Sequence, residues 1–143
     1  MIELPDGPEA LVAVLEAAGK TLLALPEGGI FPAGVGAAWP SFVREMVEAY
    51  GYDEARPRMP APTARQIEEM GVVFGWVGTI PNDRYVLRRL LLLRSLVHPL
   101  SDRHSYSWRD VARMVGTNHF SVRVWHGQGL RLVLEALRKR GAA

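Results

Sequence analysis

The chain has no cysteine and no long uncharged apolar run. Without cysteine it can form neither a disulfide framework nor a thiolate metal site, and such a composition is typical of a reducing cytoplasm. The longest strongly apolar stretch, Leu90 to Val97, contains Arg94 and is far too short to span a bilayer. Met1 to Asp6 has no basic residue ahead of an apolar run, which predicts no secretory signal. We therefore expect a cytoplasmic protein that does not enter a membrane.

Acidic side chains are scarce in the second half of the chain. Residues 1–82 contain five Lys or Arg and eleven Asp or Glu, whereas residues 83–143 contain twelve basic and four acidic side chains. The net charge of +2 hides this asymmetry. Basic surfaces bind polyanions, because neutralised phosphates release their counterions. The charge distribution therefore allows either a nucleic-acid partner or an ordinary solvated basic face.

The length and the composition indicate one folded unit. With 143 residues, of which 48% are hydrophobic and 22% charged, the chain can enclose a core and is not polar enough to be disordered. We predict a single domain over residues 1–143, with an acidic helical part at 1–62 and a second helical part at 63–143. No alternating apolar and polar pattern supports a sheet. The predicted fold class is all-α, with about six helices in one compact bundle.

Apolar residues at spacings of three and four predict four helices before residue 100. These segments are Pro8 to Leu25, about Pro40 to Gly51, Thr63 to about Pro81, and Asn82 to Pro99. The expected buried residues are Leu11, Leu15, Ala18, Leu22 and Leu25 in the first, Trp39, Val43, Met46 and Tyr50 in the second, Ile67, Met70, Phe74 and Val77 in the third, and Val86, Leu90, Leu93 and Val97 in the fourth. Thr63 and Asn82 are suitable N-caps. Glycine and proline predict a loop at 26–38 and an extended connection at 52–62.

The stretch SWRDVARMVGTNHFSVRVWHG, residues 107–127, has the spacing of a helix-turn-helix. Such a motif needs a small residue where its helices cross and a glycine at the turn, and Ala112 and Gly116 supply them. Ser107 and Asn118 are suited to cap the two helices. The positions expected to be buried are Val111, Val115, Val122 and Trp125. The sequence therefore predicts a C-terminal helix-turn-helix.

The chain after this motif is predicted to continue as a closing helix. Gly127 and Gly129 lower the local helix propensity, so we expect a bend there. From Gln128 onwards apolar residues recur at helical spacing, namely Leu130, Val133, Leu134 and Leu137. The helix ends in a basic run, which its dipole favours at a C-terminus.

A helix-turn-helix of this kind predicts which side chains meet double-stranded DNA. The second helix would turn five side chains outwards, namely Asn118, His119, Phe120, Arg123 and Val124. In a major groove Arg123 suits guanine, and Asn118 suits adenine or a phosphate. Phe120 or Val124 suits the methyl group of thymine. These residues are the expected sequence-reading face.

Three arginines beside the motif predict contacts that position DNA without reading its sequence. Arg109 and Arg113 lie on the first helix of the motif, and Arg103 precedes it. Phosphate contacts of this kind fix the orientation of a protein on the duplex. An alternative stays open, because paired helices with this pattern also occur as scaffold. In that case an exposed Phe120 would pack against a partner protein.

No arrangement of residues predicts catalysis, a metal or a cofactor. Four histidines are found late in the chain, His98, His104, His119 and His126, but no two of them have the close spacing that zinc sites use. The glycine-rich segment 28–36 lacks the Lys and the Ser or Thr of a phosphate-binding loop. We therefore do not expect an enzyme.

Two resemblances support the DNA-binding interpretation. From about Asn82 to the end, the pattern resembles the promoter-reading helix-turn-helix of bacterial sigma factors. Over most of its length, through LALPEGG, AWPSFVREMVEAYGY, VVFGWV and SWRDVARMVG, the chain is similar to an uncharacterised family of phage- and prophage-encoded helix-turn-helix proteins. This resemblance implies a phage-related setting. The recognition segment HFSVRVWH differs from the Ser- and Arg-rich run expected there.

These features lead to three functional hypotheses. The first is a DNA-binding transcription regulator, whose acidic first part would offer a surface to RNA polymerase or to a homo-oligomer mate. The second is the small terminase subunit of a phage, which marks DNA for packaging and would form a ring. The third is a module that binds an acidic protein partner. The first is preferred, because the motif and the basic half of the chain coincide.

Overall fold

The computed structural model of the protein describes residues 2–25 and 60–142. In this part of the chain it contains five α-helices and no β-strand beyond one isolated bridge pair. The helices are α1 (Pro8–Ala24), α2 (Ala64–Val77), α3 (Tyr85–Ser95), α4 (Trp108–Val115) and α5 (His119–Ala142), and a short 3-10 helix, Asn82–Arg84, precedes α3. None of these helices is long and apolar enough to cross a membrane. The predicted all-α class is confirmed for the described residues.

Several predictions lie outside the described residues. These are the helix from about Pro40 to Gly51, the loop at 26–38 and most of the connection at 52–62. Residues 60–62, the described end of that connection, are not helical. The count of about six helices and the single domain over 1–143 therefore stay predictions.

α1 begins at Pro8, whose fixed φ suits a helix and whose missing amide is not needed in a first turn. Its predicted stripe is buried, namely Leu11, Leu15, Ala18, Leu22 and, just after the helix, Leu25. Beside this stripe Gly19 lies against the end of α3, where an added Cβ would overlap the backbone carbonyl oxygen of Ser95. Glycine at position 19 therefore lets α1 and α3 approach closely.

α2 begins with a capping box, in which side chain and backbone satisfy each other's hydrogen bonds. The backbone amide of Gln66 donates to the Thr63 hydroxyl oxygen at 3.1 Å, and the backbone amide of Thr63 donates to the side-chain oxygen Oε1 of Gln66 at 2.9 Å. The N-cap predicted at Thr63 is confirmed. The buried residues of the predicted stripe are Met70, Phe74 and Val77. Ile67, in the first turns, is only partly buried.

α3 is enclosed on most of its sides, because it packs against α1, α4 and α5. Its buried leucines are Leu87, Leu90, Leu91, Leu92 and Leu93. The prediction that Val86 is buried is wrong, since this side chain is 42% exposed. Asn82 starts the 3-10 helix and does not cap α3 through its side chain. The Arg88 guanidinium donates to the carbonyl oxygens of Ile80 at 2.6 Å and Gly78 at 3.1 Å, which ties α3 to the end of α2.

α5 is one uninterrupted helix from His119 to Ala142. The closing helix predicted from Gln128 is thus the second part of α5, and Gly127 and Gly129 do not end the helix. Gly129 is buried where α5 approaches α3, and an added Cβ would lie 3.3 Å from Leu91 Cγ. Tertiary contact across this glycine outweighs its low helix propensity, which at one position costs only about 1 kcal/mol.

The buried apolar side chains form two clusters. The large core cluster joins α1, α2, α3 and α5, and among its members are Leu15, Phe74, Leu91, Leu130 and Val133. The small core cluster joins α3, α4 and α5, and consists of Leu90, Leu93, Val111, Ala112 and Val122. Tyr106 and Trp125 are partly buried and pack against both clusters. α3 and α5 therefore connect the two clusters, whereas α4 belongs to the small one.

Candidate nucleic-acid interface

α4 is fixed at its start by a second capping box. The Asp110 amide donates to the Ser107 hydroxyl oxygen at 3.1 Å, and the Ser107 amide donates to Asp110 Oδ2 at 3.1 Å. The hydrogen bond from the Ser107 backbone, then that from its hydroxyl, and the nearby Arg113 charge hold the pKa of Asp110 below its ordinary value. The N-cap predicted at Ser107 is confirmed.

The connection between α4 and α5 is three residues long, from Gly116 to Asn118. Gly116 has φ +81°, a left-handed conformation that side chains rarely adopt, so glycine is required at this position. The amide of Thr117 donates to the carbonyl oxygen of Ala112 at 2.8 Å, which closes the end of α4. Asn118 Oδ1 then accepts from the amides of Phe120 at 3.1 Å and Ser121 at 2.9 Å. The glycine at the turn and the cap at Asn118 are as predicted.

The small core cluster holds α4 against α5. Val111 and Val122 are fully buried and Ala112 is nearly so, as predicted. Val115 and Trp125, which were also predicted at buried positions, are only partly buried and pack against the same cluster. The two helices and their short connection therefore form one supported unit.

One side of α5 carries exposed side chains that the sequence predicts to face outwards. Phe120 is 73% exposed and Val124 is 61% exposed, and they lie one helical turn apart. Arg123, between them in sequence, is exposed as well. The ring of His119, partly buried, lies with its centroid 4.1 Å from that of Phe120. We call Phe120, Arg123 and Val124 the α5 face.

The Asn118 side chain cannot make one of the two contacts predicted for it. Reading adenine takes both the oxygen and the nitrogen of the amide group. In the structure Oδ1 already accepts two backbone hydrogen bonds as the cap of α5. That oxygen has two lone pairs, so the cap uses its full capacity. The nitrogen can still donate to a phosphate, whereas adenine recognition does not fit.

The basic residues predicted to meet phosphates are exposed. Arg109, Arg113 and Arg103 all lie at the surface. The Arg113 guanidinium contacts Asp110 Oδ1 at 2.7 Å, and the Arg113 side chain keeps 78% of its surface exposed. An exposed pair of this kind contributes little to stability, so Arg113 can exchange this partner for a phosphate at small cost.

A cation and aromatic stack lies behind the α5 face, and it was not predicted from the sequence. The guanidinium carbon of Arg94 lies 4.0 Å from the centroid of the Trp108 ring, and that of Arg123 lies 5.5 Å from the same centroid. Arg94 also donates to the carbonyl oxygen of Tyr106 at 3.0 Å. The sequence did contain a signal for it, namely Arg94 inside the apolar run from Leu90 to Val97, because a charge in a buried helix needs partners.

Burial and charge shift two pKa values in this stack. Burial lowers the pKa of Arg94, Arg123 lowers it further, and Glu16 acts in the opposite direction. The ring of His126 meets that of Trp108 edge-on, with 5.1 Å between the ring centroids. Burial, and then the charges of Arg94 and His104, lower the pKa of His126 from 6.5 to about 4. His126 is therefore neutral at neutral pH, and this part of the interface carries its charge on arginine.

The other histidines do not form a metal site within the described residues. No group of three or more His, Asp or Glu side chains there could hold a metal ion. His104 instead links α1 to α3, with Nδ1 3.0 Å from the carbonyl oxygen of Arg94 and Nε2 3.5 Å from Glu16 Oε2. The histidines that lie close in sequence are thus divided between separate contacts.

The described residues define an all-helical protein in which two helices joined by a short turn present an exposed, partly basic face. The chain belongs to the family defined by the domain of unknown function DUF6362, which matches residues 24–133. This range includes all of α4, and α5 as far as Val133. No curated protein and no solved structure matches the chain.

Proposed function

We propose that the protein binds double-stranded DNA through a helix-turn-helix formed by α4 and α5. The observation that carries this proposal is the α5 face, on which Phe120, Arg123 and Val124 project from a helix that is anchored in both core clusters. A recognition helix needs such an exposed side, supported from behind. The left-handed Gly116 and the two capped helix starts support the same proposal.

The charges around this face suit DNA. Arg109 and Arg113 are exposed on α4, next to α5, and residues 83–143 carry twelve basic and four acidic side chains. Phosphate neutralisation supplies most of the affinity of a DNA-binding protein at low salt. In this arrangement the α4 arginines contact the backbone, while the α5 face enters the major groove.

Within this proposal the protein is a cytoplasmic, phage-related transcription regulator. The resemblances to prophage helix-turn-helix proteins and to sigma factors support this role. The acidic first part of the chain, which includes α1, would then offer a surface to RNA polymerase or to a second copy of the chain. A protein-interaction module is the second candidate, and the 73% exposure of Phe120 favours it, because an exposed aromatic ring is also typical of protein interfaces.

The test is DNA binding by the purified full chain to duplex fragments from its genomic neighbourhood, at a low and a high salt concentration. We expect binding that weakens as salt rises, because each phosphate contact releases counterions. Light scattering on the same sample gives the particle mass. A monomer or dimer agrees with a regulator, and a large ring would point to DNA packaging. Absence of binding at low salt overturns the proposal and leaves the protein partner.

Arg123→Ala is the variant that tests the orientation of α5. If Arg123 contacts guanine, binding to the preferred duplex weakens by about 1 to 3 kcal/mol, and discrimination against other sequences falls with it. Fluorescence anisotropy on preferred and scrambled duplexes measures both quantities. Arg65→Ala is the matched control, because Arg65 is an exposed arginine on α2 paired only with its neighbour Glu69 at 3.1 Å in the described part of the chain. Unchanged affinity in Arg123→Ala would remove Arg123 from the interface.

A further inference from the structure

The α5 face is unusually apolar for a surface that is to read base edges. Phe120 and Val124, at 73% and 61%, are the two most exposed large apolar side chains in the described residues. They are four positions apart in the helix, so they lie on the same side of α5 and about 6 Å apart along its axis. Isolated exposed apolar residues are common, whereas these two neighbours form one continuous apolar surface that a partner can cover.

Few hydrogen-bonding groups accompany this pair. The side-chain oxygen of Asn118 already accepts the two backbone hydrogen bonds that cap α5. His119 is partly buried, and its ring lies against that of Phe120. Arg123 is thus the polar member of the α5 face that can offer hydrogen bonds to a base, and its guanidinium carbon lies 5.5 Å from the centroid of the Trp108 ring.

The major groove of DNA contains one feature that suits such a pair. Each base edge there carries hydrogen-bonding groups, and thymine adds a methyl group at C5. An apolar side chain that covers this methyl removes both from water. The exposed arginines beside the face favour a polyanion over an apolar protein surface or a neutral one.

We propose that Phe120 and Val124 recognise the C5 methyl groups of pyrimidines, with Arg123 reading a neighbouring guanine. This inference rests on the proposed DNA binding and deepens it, because it names the chemical group that determines sequence preference. It has a corollary for modified DNA. The methyl of 5-methylcytosine occupies the same place in the groove as that of thymine, so methylated cytosine should replace thymine at a contacted position better than cytosine does.

The experiment compares two duplexes that differ only in these methyl groups. A preferred duplex is selected from a random-sequence library with the full chain, and is then synthesised with deoxyuridine in place of every thymidine. We expect binding to the deoxyuridine duplex to be about fourfold weaker for each methyl group that the α5 face covers in the thymidine duplex. Restoring the methyl at one position at a time, as thymidine, identifies the bases that the face contacts.

Variants assign the effect to the α5 face. The double variant Phe120→Ala, Val124→Ala should bind the thymidine and deoxyuridine duplexes with equal affinity. Both side chains are exposed, so the fold should persist, and circular dichroism checks that it does. Val72→Ala is the matched control, because Val72 is a 42% exposed valine on α2, and it should keep the full difference between the duplexes.

The outcomes separate this inference from the proposed function. If no duplex binds at low salt, both fail. If the chain binds DNA but does not distinguish thymidine from deoxyuridine, the methyl inference fails while DNA binding stands. If the difference persists in the double variant, other residues recognise the methyl groups and the inference is overturned. Loss of the difference in the double variant alone is the result that supports it.

Discussion

The two core clusters of the protein differ in size and in the polar groups at their edges. The large core cluster consists of apolar side chains from α1, α2, α3 and α5. The small core cluster has five buried members, and Trp108 at its edge contacts the charged Arg94 and the ring of His126. Apolar burial therefore dominates in the first, whereas the second also has the partly buried Arg94 stacked on an aromatic ring at its edge.

This difference assigns separate roles to the clusters. α5 passes through both of them, with Val133 in the large one and Val122 in the small one. The large cluster therefore fixes the direction of α5, and the small cluster fixes α4 beside the α5 face. A change in the large cluster should alter stability without altering the shape of the face, and a change at the small cluster should alter the face as well.

The largest expected effect is that of a cavity in the large core cluster. Leu15→Ala removes a side chain that is 2% exposed in the middle of α1, far in sequence from the α5 face. The smaller buried apolar surface and the cavity left behind should lower the free energy of unfolding by about 2 to 5 kcal/mol. Urea titration followed by circular dichroism measures it. DNA affinity, corrected for the folded fraction, should be unchanged.

The control for this variant is an exposed apolar residue outside both clusters. Leu100, in the turn after α3, is 56% exposed, and Leu100→Ala should change stability by less than about 0.5 kcal/mol. Equal decreases in the two variants would show that burial in the large cluster is not what stabilises the fold. A fall in corrected affinity in Leu15→Ala would show that the clusters are not separable.

A smaller effect is expected from protonation at the small core cluster. The folded pKa of His126, about 4, lies below its ordinary 6.5, so between these values the unfolded chain binds a proton that the folded chain does not. The part of the free energy of unfolding that depends on a neutral His126 is therefore fully present above pH 6.5 and is lost as the pH falls towards 4. Its size is as much as about 3 kcal/mol, and the wild type should lose stability across this window.

His126→Phe isolates this contribution, because phenylalanine keeps an aromatic edge against Trp108 and cannot be protonated. The free energy of unfolding, measured by urea titration between pH 4 and 7, should fall less steeply in the variant than in the wild type. Parallel curves would show that His126 is not the group responsible.

Local signals in the sequence were sufficient for much of the fold and of the interface. Spacings of three and four predicted α1 and α2, and residue type and position predicted the caps at Thr63, Ser107 and Asn118. Each of these features depends on residues within one or two turns of each other. The left-handed turn at Gly116 belongs to the same class, because few other residues adopt that conformation.

Features that depend on distant contacts were not predicted. Helical spacing alone places Val86 in the buried stripe of α3. That helix packs on several sides, and Val86 lies in the strip that stays exposed. The stack of Arg94 on Trp108 joins α3 to α4, and although the charge inside an apolar run indicates that Arg94 needs a partner, no local pattern identifies Trp108 as that partner. The bend expected at Gly127 and Gly129 was likewise argued from local helix propensity alone, which does not indicate that Leu91 of α3 fills the space beside Gly129.

The smallest expected effect concerns Gly127 and Gly129, two of the three glycines of α5, of which Gly129 lies against the large core cluster. Gly127 is exposed and an added Cβ would meet nothing within 4 Å, whereas at Gly129 it would lie 3.3 Å from Leu91 in the large core cluster. Alanine is favoured over glycine inside a helix by about 0.5 to 1 kcal/mol. Gly127→Ala should therefore raise the free energy of unfolding by about that amount.

At Gly129 the same gain in helix propensity is opposed by crowding against Leu91, because well-packed cores resist added methyl groups. Gly129→Ala should therefore stabilise less than Gly127→Ala, or destabilise, when both are measured by urea titration under the same conditions. Equal stabilisation in the two variants would mean that α5 and α3 separate enough to admit a methyl group. In that case close packing at Gly129 would not be the reason that α5 runs unbroken from the α5 face into the large core cluster. The proposal that this cluster supports the α5 face would then be contradicted.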